Sequence, residues 1–192
     1  MFSTRRPDHS GRFSCPIPSA RLHCAVPDPR SSSLAAAIAL GSNLGDRRAH
    51  LEGAVRALAL TPGVDVVRVS TFIETDPVGP GDQGAYLNGA MLIETTLGAR
   101  DLLARLHTIE RAYGRDRSQT QRWGPRTLDL DLILFADQII DEPGLKVPHP
   151  RLAERPFVLE PLAEIAPDLH VPGLSRTVGQ LLQALRNEKP RN

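Results

Sequence analysis

The chain has 192 residues, 41% of them apolar, and a formal net charge of +1. That length suits one domain with a substantial core, and a near-neutral chain without a basic stripe argues against nucleic acid as a partner. No apolar run is long enough to cross a membrane. A monomeric, cytoplasmic protein acting on small molecules is the expectation.

Residues 1–33 hold five Arg, two Asp, five Pro and seven Ser, with no apolar period. This composition predicts a disordered extension. It lacks the apolar region of a secretory signal. Its Arg- and Ser-rich character shares features with an organellar transit peptide, but a dispensable extension or a start codon assigned too early is the favoured reading. Both cysteines, Cys15 and Cys24, fall here. The remainder offers no disulfide or thiolate chemistry, which fits a reducing compartment. A folded domain is expected over 34–186, with 187–192 as a tail.

Leu34–Leu40 reads as a buried strand, and Gly41-Ser42-Asn43-Leu44-Gly45-Asp46 as a tight polar turn whose Asn43 or Asp46 caps a helix. Leu51, Val55 and Leu58 carry the helical period, which Pro62-Gly63 ends. Val64–Thr75 alternates, placing Val67, Val69, Thr71 and Ile73 on one face of a single strand. Asp76–Gly84 is a Pro/Gly loop, and Tyr86–Thr95 is a strand antiparallel to the preceding one. Leu102, Leu103, Leu106, Ile109 and Tyr113 mark a second helix closed by Gly114. Arg115–Arg126 is a charged loop entering an Asp-bearing strand, with Ile139–Ile140 as its short hairpin partner. Helices over 156–165 and 178–185 follow. The fold class is therefore α+β, with a ferredoxin-like βαββαβ core, mostly antiparallel, and C-terminal helical additions.

The chemistry concentrates in Gln121-Arg-Trp-Gly-Pro-Arg-Thr-Leu-Asp-Leu-Asp-Leu-Ile-Leu134. On a strand, Asp129 and Asp131 share a face roughly 7 Å apart at Cα, with Leu128, Leu130, Leu132 and Leu134 opposite. Two like charges on one side are costly unless compensated. Divalent cations would do so, since Mg²⁺ takes one or two carboxylates plus substrate phosphates; a solvent-facing strand salt-bridged to arginines is the alternative. Arg115, Arg117, Arg122 and Arg126 are candidates for clamping a polyphosphate, against a solvated loop for Arg115 or Arg117 taken singly. Trp123 is the sole tryptophan and serves either as a core anchor or as a stacking surface. Gly41–Gly45 is not a P-loop, because no lysine follows a Gly-x4-Gly pattern. Asn88, with Tyr86 on its face, suits reading a heterocycle through an amide that donates and accepts; a half-buried polar pair is the alternative. Glu110 either anchors an arginine or reaches the ligand, and His149 is held between two prolines.

Several strings together resemble the 6-hydroxymethyl-7,8-dihydropterin pyrophosphokinase family: Ala39-Leu-Gly-Ser-Asn-Leu-Gly45, Glu74-Thr-Asp-Pro-Val-Gly79 with Gln83 and Tyr86-Leu-Asn88, Ile109-Glu110 with Gly114-Arg115, Arg122-Trp-Gly-Pro-Arg-Thr-Leu-Asp-Leu-Asp131, and Val147-Pro-His-Pro-Arg151. The resemblance implies transfer of diphosphate from ATP to the pterin hydroxymethyl oxygen, with AMP released and two Mg²⁺ held by Asp129 and Asp131. It implies that Thr75, Pro77, Val78, Tyr86, Asn88, Trp123 and Phe157 bind the pterin. It places Arg115, Arg117, Arg122, Arg126, His149 and Arg155 at ATP, where Glu110 is expected as well. Asp129, Asp131, Arg126, Arg115 and Arg122 would be the catalytic set.

Overall fold

A computed structural model describes residues 33–77, 84–115 and 125–188. Strand β1 (Leu34–Ser42) leads through the polar turn to α1 (Arg47–Ala59), capped by Asp46, whose carboxylate accepts from Ala49 N at 3.0 Å. Then come β2 (Val64–Val69), β3 (Ile73–Thr75), β4 (Tyr86–Thr95) and α2 (Ala99–Ala112). Gly114 closes α2 at φ +81°, in the left-handed region that glycine enters without steric cost. Strand β5 (Asp129–Phe135) completes the core. Beyond it lie β6 (Ile140–Glu142), β7 (Leu145–Val147), a short 3-10 turn over Leu152–Glu154, α3 (Pro156–Ile165), β8 (His170–Val171), β9 (Arg176–Thr177) and α4 (Val178–Glu188).

The main sheet runs β2-β4-β1-β5, with β3 continuing the β2 side of β4, and every pairing is antiparallel. With α1 and α2 as crossovers this is the ferredoxin-like arrangement. Each face of the sheet carries its own core. On one, Ile38, Leu40, Met91, Ile93, Leu128 and Leu130 pack with Leu51 and Leu58 of α1 and Leu102 and Leu106 of α2. On the other, Ala37, Ala39 and Ala90 pack with Leu159 and Leu162 of α3 and Leu181 of α4. Small residues on that second face let α3 approach the strands closely. No helix among the described residues is long and apolar enough to cross a membrane.

Four sequence-based expectations need correction. Val64–Thr75 is two strands, because Ser70 turns its hydroxyl inward to accept from Ala90 N at 2.9 Å and interrupts the ladder. A bulge at Val67 also breaks the alternation; Val67 and Val69 are exposed, whereas Val64 and Val66 pack against the core. A second bulge, at Ile133, moves Leu134 to the sheet face opposite Leu132, and Ile133 and Leu134 pack with α3 and α4. Ile140 pairs with Val147 in a separate β6–β7 ribbon rather than with β5. Helix α4 runs on to Glu188, into the expected tail.

Candidate functional site

The register places three residues in one row across three strands. Asn88 on β4 stands opposite Gly41 on β1, and Gly41 stands opposite Asp129 on β5. With neighbouring strands ~4.8 Å apart, Asn88 and Asp129 are separated by about 10 Å. Glycine between them matters sterically, since a Cβ at Gly41 would stand 3.1 Å from the Asn88 amide oxygen. Two residues along each strand, Asp131 faces Ala39. Both carboxylates thus lie on the α3 side of the sheet, over the smallest side chains of β1, at the end where α3 begins.

A cavity of about 250 Å³ opens above this row. Asp129, Asp131, Arg126 and Arg155 line it together with Thr75, Tyr86, Asn88 and Phe157. Of the residues expected at ligands, these eight come together. Pro77 and His149 do not line the cavity, nor do Arg115 and Glu110. Val78, Arg117, Arg122 and Trp123 lie outside the described residues, as do Gln83 and most of the Arg115–Arg126 loop.

The two aspartates differ in surroundings. Asp129 accepts from Arg115 on one oxygen and from Arg126 on the other, the latter at 2.6 Å. Arg115, its side chain 7% exposed, also pairs with Glu110 and donates to the Leu128 carbonyl at 3.2 Å. Glu110 is 1% exposed and accepts from Leu130 N at 2.9 Å. It therefore anchors Arg115 beneath β5 instead of reaching the cavity. Burial by itself would raise the Asp129 pKa, but the Arg115 and Arg126 guanidiniums outweigh it and hold the carboxyl below its ordinary value. Asp131 has a lighter hold among the described residues, one pair with Arg155 at 3.2 Å, and its side chain is 32% exposed.

The turn after β1 spends its polar groups on the protein. Asn43 N donates to the Arg126 carbonyl at 3.0 Å, and Asn43 Oδ1 accepts from Arg126 N at 2.6 Å. Ser42 Oγ donates to the Thr127 carbonyl at 2.6 Å. These bonds fix the chain entering β5 and hence the root of Arg126. The Asn88 amide donates to Thr75 Oγ1 at 2.7 Å, joining β3 to β4 under the cavity. Burial raises the Tyr86 pKa, with Asp129 adding to the rise and Arg126 opposing it, so the phenol stays a neutral donor at pH 7. The Arg155 guanidinium lies 5.7 Å from the centroid of the Phe157 ring, at the start of α3.

His149 does not line the cavity but stands near enough to feel the charges of Arg155 and Asp131. The bulge leaves the Ile133 carbonyl to accept from His149 N at 2.9 Å, and His149 Nδ1 accepts from Arg151 N at 3.2 Å. Burial first, then the nearby Arg155 guanidinium, lowers its pKa, so the imidazole is neutral at pH 7. Sequence reasoning assigned no role to Asp76, Arg151, Glu154 or Val158, which also line the cavity. The period-two run of small residues at Ala37, Ala39 and Gly41 was the available signal for the floor.

Two hard carboxylates side by side suit Mg²⁺. No group of three or more His, Cys, Asp or Glu is gathered among the described residues, and a two-carboxylate site fits an ion that completes its shell with substrate oxygens and water.

Residues 37–167 match the family model described as 7,8-dihydro-6-hydroxymethylpterin-pyrophosphokinase. The chain is 46% identical over 147 residues to the 2-amino-4-hydroxy-6-hydroxymethyldihydropteridine pyrophosphokinase of Pseudomonas aeruginosa, covering 77% of this chain and 89% of that protein. It is 52% identical over 128 residues to the Bacillus subtilis protein of the same name, covering 67% and 75% respectively. In fold it is similar to wild-type Plasmodium falciparum HPPK-DHPS, with a TM-score of 0.62 at 13% identity; the match covers 82% of this chain and 45% of that longer one. The extent of the family match and the level of identity leave one conclusion: this chain belongs to the 7,8-dihydro-6-hydroxymethylpterin-pyrophosphokinase family.

Proposed function

We propose that the chain transfers the β,γ-diphosphate of ATP to the hydroxymethyl oxygen of 6-hydroxymethyl-7,8-dihydropterin, an activity of folate biosynthesis. A bond forms between that oxygen and the β-phosphorus, and the bond from the β-phosphorus to the α,β-bridging oxygen breaks. AMP leaves, and the hydroxyl proton passes to solvent. The row Asn88–Gly41–Asp129 carries this reading, because it sets a heterocycle reader and a metal-binding carboxylate about 10 Å apart in one cavity.

Asn88, tied to Thr75, presents its amide to the ring, while Tyr86 and Phe157 supply apolar surface and a neutral hydroxyl. Arg126 and Arg155 neutralise triphosphate charge. Arg115 acts through Asp129, holding that carboxylate ionised and oriented. Asp129 and Asp131 would hold Mg²⁺, two ions on this reading, which when bound supplies charge neutralisation at the attacked phosphorus and lowers the pKa of the attacking hydroxyl. Diphosphoryl transfer draws chiefly on positioning and electrostatics, which accords with a site built from carboxylates and guanidiniums. We also assign Arg117, Arg122 and Trp123 to the ligands by their position in the family string, and a monomeric, cytoplasmic state to the chain.

Incubation with ATP, Mg²⁺ and the hydroxymethyl dihydropterin tests the reading. AMP should appear only when the pterin is present. Phosphate release without pterin would indicate a hydrolase, and binding of both ligands without turnover would indicate a non-catalytic module; either result defeats the proposal.

A further inference from the structure

Glu74–Leu87 and Thr75–Tyr86 are the last two rungs joining β3 to β4. Past them the strands part toward residues 76 and 85. Arg47, the first residue of α1, reaches across this open end. One of its terminal nitrogens donates to the Ala85 carbonyl at 2.7 Å and pairs with the Glu74 carboxylate at 2.6 Å. A single guanidinium therefore holds both strands at the point where they diverge. Its own root is rigid, because Arg47 N donates to the Gly45 carbonyl at 2.9 Å and Asp46 caps the helix.

Arg47 does not line the cavity, but its partners adjoin residues that do. Thr75 follows Glu74, Tyr86 follows Ala85, and Asn88 is bonded to Thr75. A terminal rung of a short strand opens readily when its end is untied. The carboxylates of the cavity stand on β5, with Arg126 just before that strand and Arg155 at the start of α3, and Arg47 bonds to none of them. The same turn thus serves both parts of the site: Asn43 fixes Arg126, and Arg47 fixes the wall carrying Thr75 and Tyr86.

We propose that Arg47 is a positioning residue for the pterin, setting the gap between Thr75 and Tyr86 and so the slot in which Asn88 meets the ring. The inference rests on the pyrophosphokinase reading. Steady-state kinetics with each substrate varied in turn, alongside melting temperature, tests it. Arg47→Ala should raise the pterin KM about tenfold, the equivalent of one lost charge-assisted hydrogen bond, and leave the ATP KM within about twofold. Arg47→Lys retains the charge but not the planar fork, and should recover part of the loss. Glu74→Gln keeps the Ala85 bond and gives up only an exposed ion pair, so its pterin KM should rise by at most about threefold. Should Arg47→Ala fail to fold, Arg47→Lys and Glu74→Gln carry the same comparison. A pterin KM unchanged in Arg47→Ala and Arg47→Lys overturns the proposal. So does an equal rise in both KM values, which would mean general loosening. Absence of pterin-dependent AMP formation by the wild-type protein would instead defeat the functional reading itself.

Discussion

Asn substitution at each aspartate should stop turnover equally and destabilise unequally. Asp129 neutralises two guanidiniums, one of them the nearly inaccessible Arg115. Breaking a buried pair from one side costs about 3–5 kcal/mol. The Asp129 side chain keeps 18% exposure and Glu110 still faces Arg115, so we discount this to roughly 2–3 kcal/mol for Asp129→Asn. At roughly 2–4 °C per kcal/mol for a domain of this size, the melting temperature should fall by about 5–10 °C. Among the described residues Asp131→Asn gives up one longer pair between partly exposed groups, worth under about 1 kcal/mol, or at most about 4 °C. Turnover should fall by at least about a hundredfold in both, because each loses a carboxylate for Mg²⁺. The assay is pterin-dependent AMP formation against Mg²⁺ concentration, beside calorimetric melting. An Asp131→Asn protein that keeps its activity refutes the metal assignment. Equal melting shifts for the two variants refute the view that Asp129 is the counter-charge of Arg115.

The depressed Asp129 pKa also predicts acid sensitivity. Its folded value lies below its unfolded one, so its contribution is complete above about pH 4 and is lost as pH falls through the folded value; Asp129→Asn should flatten the stability curve in that window alone. His149 has the same sign, being neutral in the fold. Its contribution is complete above about pH 6.5 and declines on acidification through its lowered pKa, and an imidazole titration midpoint at or above 6.5 by NMR would contradict the burial and Arg155 argument. Asn88→Ala should weaken pterin binding by about 1–3 kcal/mol while sparing ATP, since the amide stands on β4, two strands away from Asp129; equal losses by calorimetry would point to misfolding. A chain beginning at Ser33 should keep its turnover and melting temperature, because β1 begins at Leu34 and the family match at residue 37, and a large loss of either would assign the first 32 residues a structural part.

The sequence by itself determined the βαββαβ order of the core and the residue types of the site. Period-two and period-3.6 patterns are local, and turn residues such as Asp46, Pro62-Gly63 and Gly114 punctuate them wherever they sit in the fold. The Asp-Leu-Asp alternation placed two carboxylates on one face because strand geometry allows nothing else over three residues. Bulges escaped that logic. Val67 and Ile133 are extra residues only relative to a partner strand, so the alternation around them cannot be phased from one strand alone. Tertiary structure also decided which charges meet. From the sequence, Asp129 and Asp131 were equivalent, and Arg115 and Glu110 were candidates for the ligand. The fold set Glu110 and Arg115 beneath β5, drew two guanidiniums onto Asp129 and left Asp131 the lighter hold. It likewise brought Asn88 into line with Asp129 across Gly41, residues 41 to 88 positions apart in the chain, because cross-strand register depends on how distant segments pair and not on any window of sequence.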